Sequence, residues 1–161
     1  MSVTLDKDSV TAILGLATLA IALSQMKIAS AKTKLDLYNK RFAIYIASLD
    51  YYHALLNESN AAAKEKSIAQ SKGYREALFL FNKKDEIYTT LSEIEGKGAS
   101  ARSYAEQIAN LEGSQAASEL ASLQEKRKGV LGDIGQLIDK LEKQLEPYLR
   151  FKAASGWFFW R

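Results

Sequence analysis

The chain has 161 residues, no cysteine and a formal net charge of +3 at pH 7. This length allows one compact domain and an anchoring segment. The lack of cysteine excludes disulfides and thiolate chemistry, and the small net charge does not by itself indicate nucleic-acid binding. The chain contains a single proline and is rich in helix-favouring residues, so we expect an all-α protein.

The first predicted element is a transmembrane helix. Residues 9–26 carry no charged side chain, and a run of about 18 residues is near the lower limit for a bilayer span. The acidic residues Asp6 and Asp8 before it argue against a secretory signal peptide, which begins with positive charge. The charged residues just after it are mostly basic, which predicts an N-terminus outside and a cytosolic remainder. A signal peptide and a buried core helix are the alternatives.

One face of this helix carries small and polar residues at helical spacing. In lipid, small residues let helices approach closely, and Thr or Gln can form hydrogen bonds across the contact. The pattern therefore predicts self-association, and a water-lined pore formed by several copies is the alternative. The residues of this transmembrane polar stripe are Thr11, Gly15, Thr18, Ala22 and Gln25.

The anchor is predicted to continue into the first helix of a cytosolic bundle. Neither proline nor glycine interrupts residues 16–57, and apolar residues recur there at steps of three and four. Aromatic residues in this seam favour a bundle core over a two-stranded coiled coil. The predicted seam is Ile28, Ala31, Leu35, Tyr38, Phe42, Tyr45, Leu49, Tyr52 and Leu56.

Shorter helices are predicted in the middle of the chain. We expect a kink at Gly73, a core or subunit interface at the apolar run 78–81, and a helix over residues 84–95. The glycine-containing stretch 95–100 is predicted to be a loop, and residues 99–111 a further helix.

A long return helix is predicted from residue 115 to about residue 150. If it runs antiparallel to the first bundle helix, the C-terminus returns to the membrane surface. Trp157, Trp160 and Arg161 would then lie at the level of the lipid headgroups. Packing of these aromatic residues into the bundle or a neighbouring subunit is the alternative.

Three segments resemble small bacterial single-span inner-membrane proteins with a cytosolic helical domain. They are KTKLDLYNKRFAIY at residues 32–45, EALFLFNKKDEIYTTLSEI at residues 76–94 and LEPYLRF at residues 145–151. The resemblance implies an extracytoplasmic N-terminus (1–8), a transmembrane helix (9–30) and a cytosolic helical bundle (31–161) in a bacterial inner membrane. It implies no activity, and the final Trp-Phe-Phe-Trp-Arg departs from the usual ending of these proteins.

Two groups of basic residues are candidate binding sites for an anionic ligand. The first group lies beside Gly129, Gly132 and Gly135, and a helix usually accepts such glycines for close backbone approach or a kink. A solvated charge run beside a tight helix crossing is the alternative. Near the second group, Tyr74 and Tyr88 are placed to stack on bases. The two groups are Lys126, Arg127 and Lys128, and Lys83, Lys84 and Arg75.

Catalytic motifs are absent from the sequence. With His53 as the single histidine, no Ser–His–acid arrangement or metal site can be built, and no P-loop or Rossmann glycine motif occurs. We therefore expect a protein that is not an enzyme and that holds no metal or cofactor.

The size and layout are similar to membrane effectors of type III CRISPR defence that respond to cyclic oligoadenylate. This resemblance implies a homo-oligomer that binds a small anionic, nucleotide-like signal and passes it to the transmembrane helices, which perturb the membrane or open a pore. Duplex nucleic acid is not an expected partner. The alternatives are an oligomeric scaffold or accessory subunit that holds a protein partner at the inner membrane, and a soluble protein with a buried N-terminal helix.

Overall fold

The computed structural model describes residues 7–111 and 117–150, and these residues are helical apart from short turns. The four helices are α1 (Lys7–Asn57), α2 (Asn60–Leu80), α3 (Ile87–Leu111) and α4 (Ala117–Leu149). A single 3-10 turn, Lys83–Asp85, joins α2 to α3. The prediction of an all-α protein is thus confirmed for the described residues.

The chain divides into two compact units, Met1–Tyr38 and Asn39–Arg161. In the first unit, α1 contains a stretch that is long and apolar enough to cross a membrane, and none of that stretch is buried. The exposed positions lie on several sides of the helix, so this surface lacks the polar face of an ordinary surface helix. The large apolar side chains exposed there include Ile13, Leu14, Leu16, Leu19, Ile21 and Leu23.

In the second unit, residues 39–57 of α1 form the centre of a bundle with α2, α3 and α4. The fully buried positions on α1 follow steps of four, three and four, as one helix face requires. This face is displaced by one residue from the predicted seam, in which Phe42 and Leu56 are instead exposed. The buried positions of this series are Ile44, Ser48, Tyr51 and Leu55, and Ala54 beside them is also buried.

The displacement arises because α1 uses two adjacent faces. Ile44 lies against Gly73 of α2, and the Ser48 hydroxyl is 2.7 Å from Oε1 of the buried Gln70. On the neighbouring face, Tyr45 and Tyr52 are half-buried and approach α4. The sequence places Tyr45 and Tyr52 in the predicted seam and Ile44 and Leu55 on a second apolar flank, so it indicates both faces but not which one is fully buried.

Helices α3 and α4 complete the core through buried aliphatic side chains. Residues at both ends of α4 show that it runs antiparallel to the bundle part of α1. Arg127 contacts Leu55 near the end of α1, whereas Tyr148 lies beside Arg41 near the start of this part of α1. The antiparallel arrangement that was considered for the return helix is thus present in the described bundle. The buried residues of α3 and α4 include Ile87, Leu91, Ile94, Ala101, Ile134, Leu141 and Leu145.

The predicted loop at residues 95–100 is wrong, because α3 continues through it. Gly96 and Gly98 suggested a break, since glycine costs about 1 kcal/mol relative to alanine in a helix. Gly98 is buried, and a Cβ placed on it would lie 2.6 Å from Cζ of Tyr51. The close approach of the Tyr51 ring explains the glycine. Helix α2 likewise continues through Gly73, which is buried against Ile44.

Candidate functional site

A surface groove of about 490 Å³ lies between the last turns of α1, the C-terminal half of α3 and the N-terminal half of α4. Its walls combine apolar and aromatic side chains with basic groups, the combination found in sites for small anionic ligands. The groove includes two residues of the first predicted binding group and one of the neighbouring glycines. The residues that define it are Tyr52, Leu56, Ile108, Arg127, Lys128 and Gly132.

Arg127 stabilises the fold as well as lining this groove. Its Nη2 donates a hydrogen bond of 2.6 Å to the backbone oxygen of Leu55, in the last turn of α1. Carbonyl groups in a last helical turn lack intrahelical partners and attract positive charge. This contact explains a charged side chain at a position where the α4 pattern predicts an apolar one. Nε of Arg127 is buried and has no hydrogen-bond partner among the described residues.

The two lysines that flank Arg127 differ in position. Both are exposed, but Lys128 lines the groove and Lys126 does not. The predicted triplet therefore contributes one accessible ammonium and the edge of one guanidinium to this site.

Only one of the three α4 glycines is closely approached within the described residues. A Cβ on Gly135 would lie 2.8 Å from the hydroxyl oxygen of Tyr52, whereas Gly129 and Gly132 have no such neighbour within 4 Å. The close approach of Tyr52 thus explains the glycine at position 135. Gly132 lines the groove and places no side chain in it.

The second predicted binding group lies on an open surface. Arg75 is exposed on α2, and Lys83 and Lys84 are exposed in the 3-10 turn. Tyr74 and Tyr88 stack on each other, with ring centroids 4.5 Å apart and a hydrogen bond between their hydroxyl groups. That hydrogen bond is the main cause of a raised pKa at Tyr88. One face of each ring is therefore covered by the other ring.

The structure also contains a polar and aromatic cluster that the sequence analysis missed, here called the Arg41 cluster. Nε and Nη2 of Arg41 donate hydrogen bonds of 3.1 and 3.0 Å to the backbone oxygen of Leu80. The Arg41 guanidinium lies 4.6 Å from the ring centroid of Tyr148 and 5.7 Å from that of Phe81. The Tyr148 hydroxyl donates a hydrogen bond to Asp85.

The Arg41 cluster draws one or more residues from each of the three segments that carry the resemblance, 32–45, 76–94 and 145–151. The segments are far apart in the chain and meet at one end of the bundle, where they join the end of α2 and the end of α4 to α1. The presence of all three segments in one chain was the sequence feature that could have indicated this cluster. Neither their spacing nor their periodicity indicates that they are in contact.

Burial controls the ionisation of several tyrosines. Desolvation is the main cause of the raised pKa of Tyr148, and its hydrogen bond to Asp85 adds to the effect. Desolvation also raises the pKa of Tyr51, although a hydrogen bond of 3.2 Å from Nε of Arg102 opposes this shift. At Tyr45 desolvation comes first and the Glu142 carboxylate second, and both raise the pKa. These phenols therefore stay protonated well above neutral pH.

The predicted transmembrane polar stripe lies on α1, outside the bundle unit. A Cβ added at Gly15 would have no described atom within 4 Å beyond the backbone of its own helix and its chain neighbours. Thr18 donates a hydrogen bond of 2.8 Å to the Leu14 carbonyl within its own helix. Thr11, Ala22 and Gln25 are exposed. The predicted interface residues Trp157, Trp160 and Arg161 lie outside the described residues.

Among the described residues, no three His, Asp or Glu side chains are grouped as metal ligands. No family model matches the chain, and neither a curated protein nor a solved structure matches it.

Proposed function

We propose that the protein is a membrane-anchored effector or sensor whose helical bundle binds a small anionic, nucleotide-like signal. The observation that carries this proposal is the groove formed by Tyr52, Leu56, Ile108, Arg127, Lys128 and Gly132. Its volume falls within the range of about 300–1,000 Å³ that small-ligand sites occupy. Apolar and aromatic walls suit a base, and the Lys128 ammonium suits a phosphate.

Helix α1 links this groove to the proposed membrane span. Tyr52 and Leu56 line the groove, and the apolar stretch that is long enough to cross a bilayer belongs to the same helix. A ligand that packs against these side chains would act on α1 directly, and α1 would pass the change to the lipid-embedded part. Two conformations with different ligand affinity are required for such a response.

In this proposal the N-terminus is outside the bacterial inner membrane and the bundle is in the cytosol. The stripe formed by Thr11, Gly15, Thr18, Ala22 and Gln25 mediates self-association, because small residues allow close helix contact in lipid. Ligand binding then changes the packing of the associated helices, which perturbs the membrane or opens a pore, as in antiviral defence. Cyclic oligoadenylate is the first ligand to test.

The test is a thermal-unfolding measurement on the full chain in detergent or nanodiscs, with cyclic oligoadenylates, linear oligoadenylates and inorganic phosphate. Saturating ligand stabilises the state that binds it, by about 2.7 kcal/mol at 100 times Kd. We expect a raised unfolding temperature with one nucleotide, and loss of that shift in Lys128→Ala. Lys126→Ala is the matched control, because Lys126 is exposed nearby but outside the groove. Unchanged unfolding with every ligand would overturn the proposal.

The second candidate is a non-enzymatic scaffold that holds a protein partner at the inner membrane. The hydrogen bond from Arg127 to the Leu55 carbonyl favours this second candidate. The guanidinium is the group of the triplet best suited to bind phosphate, and the bond engages it within the protein. A scaffold predicts a defined oligomer mass with no unfolding shift for any nucleotide, so the same samples separate the two functions.

A further inference from the structure

Among the described residues of the bundle unit, the most exposed large apolar side chain lies where α2 ends. Phe79 is 88 % exposed, and the neighbouring Leu78 is 44 % exposed. Two exposed lysines follow at once, Lys83 and Lys84, in the 3-10 turn after α2. The sequence run 78–81, expected to be core or interface, is thus split between the Arg41 cluster and the surface.

The exposure of Phe79 is imposed by an ordered structure. Arg41 holds the Leu80 carbonyl, and Phe81 packs edge-on against Tyr148 with ring centroids 5.1 Å apart. Because successive helical residues point about 100° apart, the buried Ala77 and the half-buried Leu80 face the bundle and Phe79 points outward. The Phe79 ring is therefore presented to the surroundings by its fixed neighbours.

The turn that carries the two lysines is also fixed. Oδ1 of Asn82 accepts a hydrogen bond of 3.2 Å from the backbone N–H of Lys84, and Tyr148 bonds to Asp85. Glu86 ends the turn in the left-handed region, at φ 54°. These contacts fix the backbone of Lys83 and Lys84, which follow Phe79 by four and five residues, at the end of the bundle where Arg41 lies.

We propose that Phe79, Lys83 and Lys84 form a second membrane contact, in which the aromatic ring enters the bilayer interface and the lysines bind anionic headgroups. Arg75, one helical turn before Phe79, adds a third cation on the α2 side. Charge complementarity selects this partner: among the described residues, no carboxylate lies within ion-pair distance of Lys83, Lys84 or Arg75. Each basic residue near an anionic membrane strengthens the attraction to it, and an aromatic residue is favoured at the interface.

This inference rests on the proposed membrane span, which tethers the bundle to a bilayer. It reassigns the second predicted binding group, Lys83, Lys84 and Arg75, from a soluble anionic ligand to the anionic surface of the membrane. A contact of this kind would give the bundle a second point of attachment, next to the residues that hold the ends of α2 and α4 on α1.

The test uses the absence of cysteine in the chain. Phe79→Cys in the full chain is labelled with an aromatic, polarity-sensitive dye and reconstituted into vesicles of phosphatidylcholine, with or without phosphatidylglycerol. Ile68→Cys is the matched control, because Ile68 is 70 % exposed on the same helix. We expect a blue shift and protection from an aqueous quencher at position 79 in anionic vesicles, and no change at position 68. Adding Lys83→Glu and Lys84→Glu, or high salt, removes the shift.

Two outcomes would overturn the inference. One is a label at position 79 that stays as accessible to the quencher as the label at position 68 in both lipids. The other is protection that persists in detergent and ignores lipid charge, because a protein surface or a second copy then covers Phe79. Nucleotide-induced unfolding shifts and resistance of the chain to carbonate extraction, measured on the same preparations, report separately on the proposed function and span.

Discussion

Gly98 lies against the hydroxyl end of the Tyr51 ring, and this contact joins α3 to α1 in the interior of the bundle. Tyr51 is fully buried, and a Cβ on Gly98 would lie 2.6 Å from its Cζ. The glycine therefore provides the space for the ring, although it lowers the intrinsic helix propensity of α3.

This contact predicts opposite effects for two alanine substitutions in one helix. Gly96 has no neighbour within 4 Å in the described structure, so Gly96→Ala gains up to about 1 kcal/mol from helix propensity. Gly98→Ala forces the buried Tyr51 ring to move, and overpacking costs about 1–3 kcal/mol. Thermal unfolding of both variants, followed by circular dichroism, measures the difference. Equal stability of the two variants would show that the ring moves freely.

The hydrogen bond from Arg127 to the Leu55 carbonyl predicts a large loss of stability in Arg127→Ala. Hydrogen bonds to charged groups contribute about 1.5–3 kcal/mol, and the variant also exposes the last turn of α1. Lys126→Ala and Lys128→Ala are controls, since both side chains are exposed. Chemical denaturation of the three variants tests this, and a loss at Lys126 equal to that at Arg127 would contradict the structural role.

The contacts of Arg41 predict that its replacement by alanine destabilises the protein more than the same replacement of the neighbouring Lys40. Arg41→Ala removes two hydrogen bonds to Leu80 and the contacts of the guanidinium with two rings. We expect a loss of about 2–4 kcal/mol, together with faster hydrogen exchange at the end of α2. Lys40→Ala, at an exposed position, leaves both unchanged. Unchanged hydrogen exchange at the end of α2 in Arg41→Ala would mean that the packing of Phe81 against Tyr148 is sufficient to hold this end of the helix.

The raised pKa of Tyr148 predicts a loss of stability at alkaline pH. The folded protein holds this phenolic proton more tightly than the unfolded chain, whose pKa is near 10.0. The contribution of Tyr148 is therefore complete below about pH 10 and declines as the pH rises through the folded-state pKa. Tyr148→Phe removes this dependence and costs about 1 kcal/mol at neutral pH through the lost hydrogen bond. Unfolding temperatures from pH 7 to about pH 11 test both effects, and identical alkaline slopes would refute the assignment.

The candidate groove was partly predictable. The basic triplet and the three glycines lie in the same region of α4 as the groove, and Lys128 and Gly132 line it. The internal role of Arg127 was not predictable, because it depends on which α1 carbonyl lies opposite. Tyr52, Leu56 and Ile108 were missed as groove residues, since apolar side chains at helical spacing usually indicate core.

The helical class, the position of the long α4 helix and the apolar stretch of α1 could be predicted from the amino-acid sequence. These features follow from local backbone preferences and from hydrophobic periodicity, which act over a few residues. Three features became visible in the tertiary structure alone. Gly98 belongs to a helix, the buried face of α1 includes Tyr51, and the guanidinium of Arg41 contacts the ring of Tyr148. These contacts depend on how each helix is rotated and aligned along its axis, and a shift of one residue changes the facing direction by about 100°. Rotation and alignment are set jointly by many contacts between residues that are distant in the sequence.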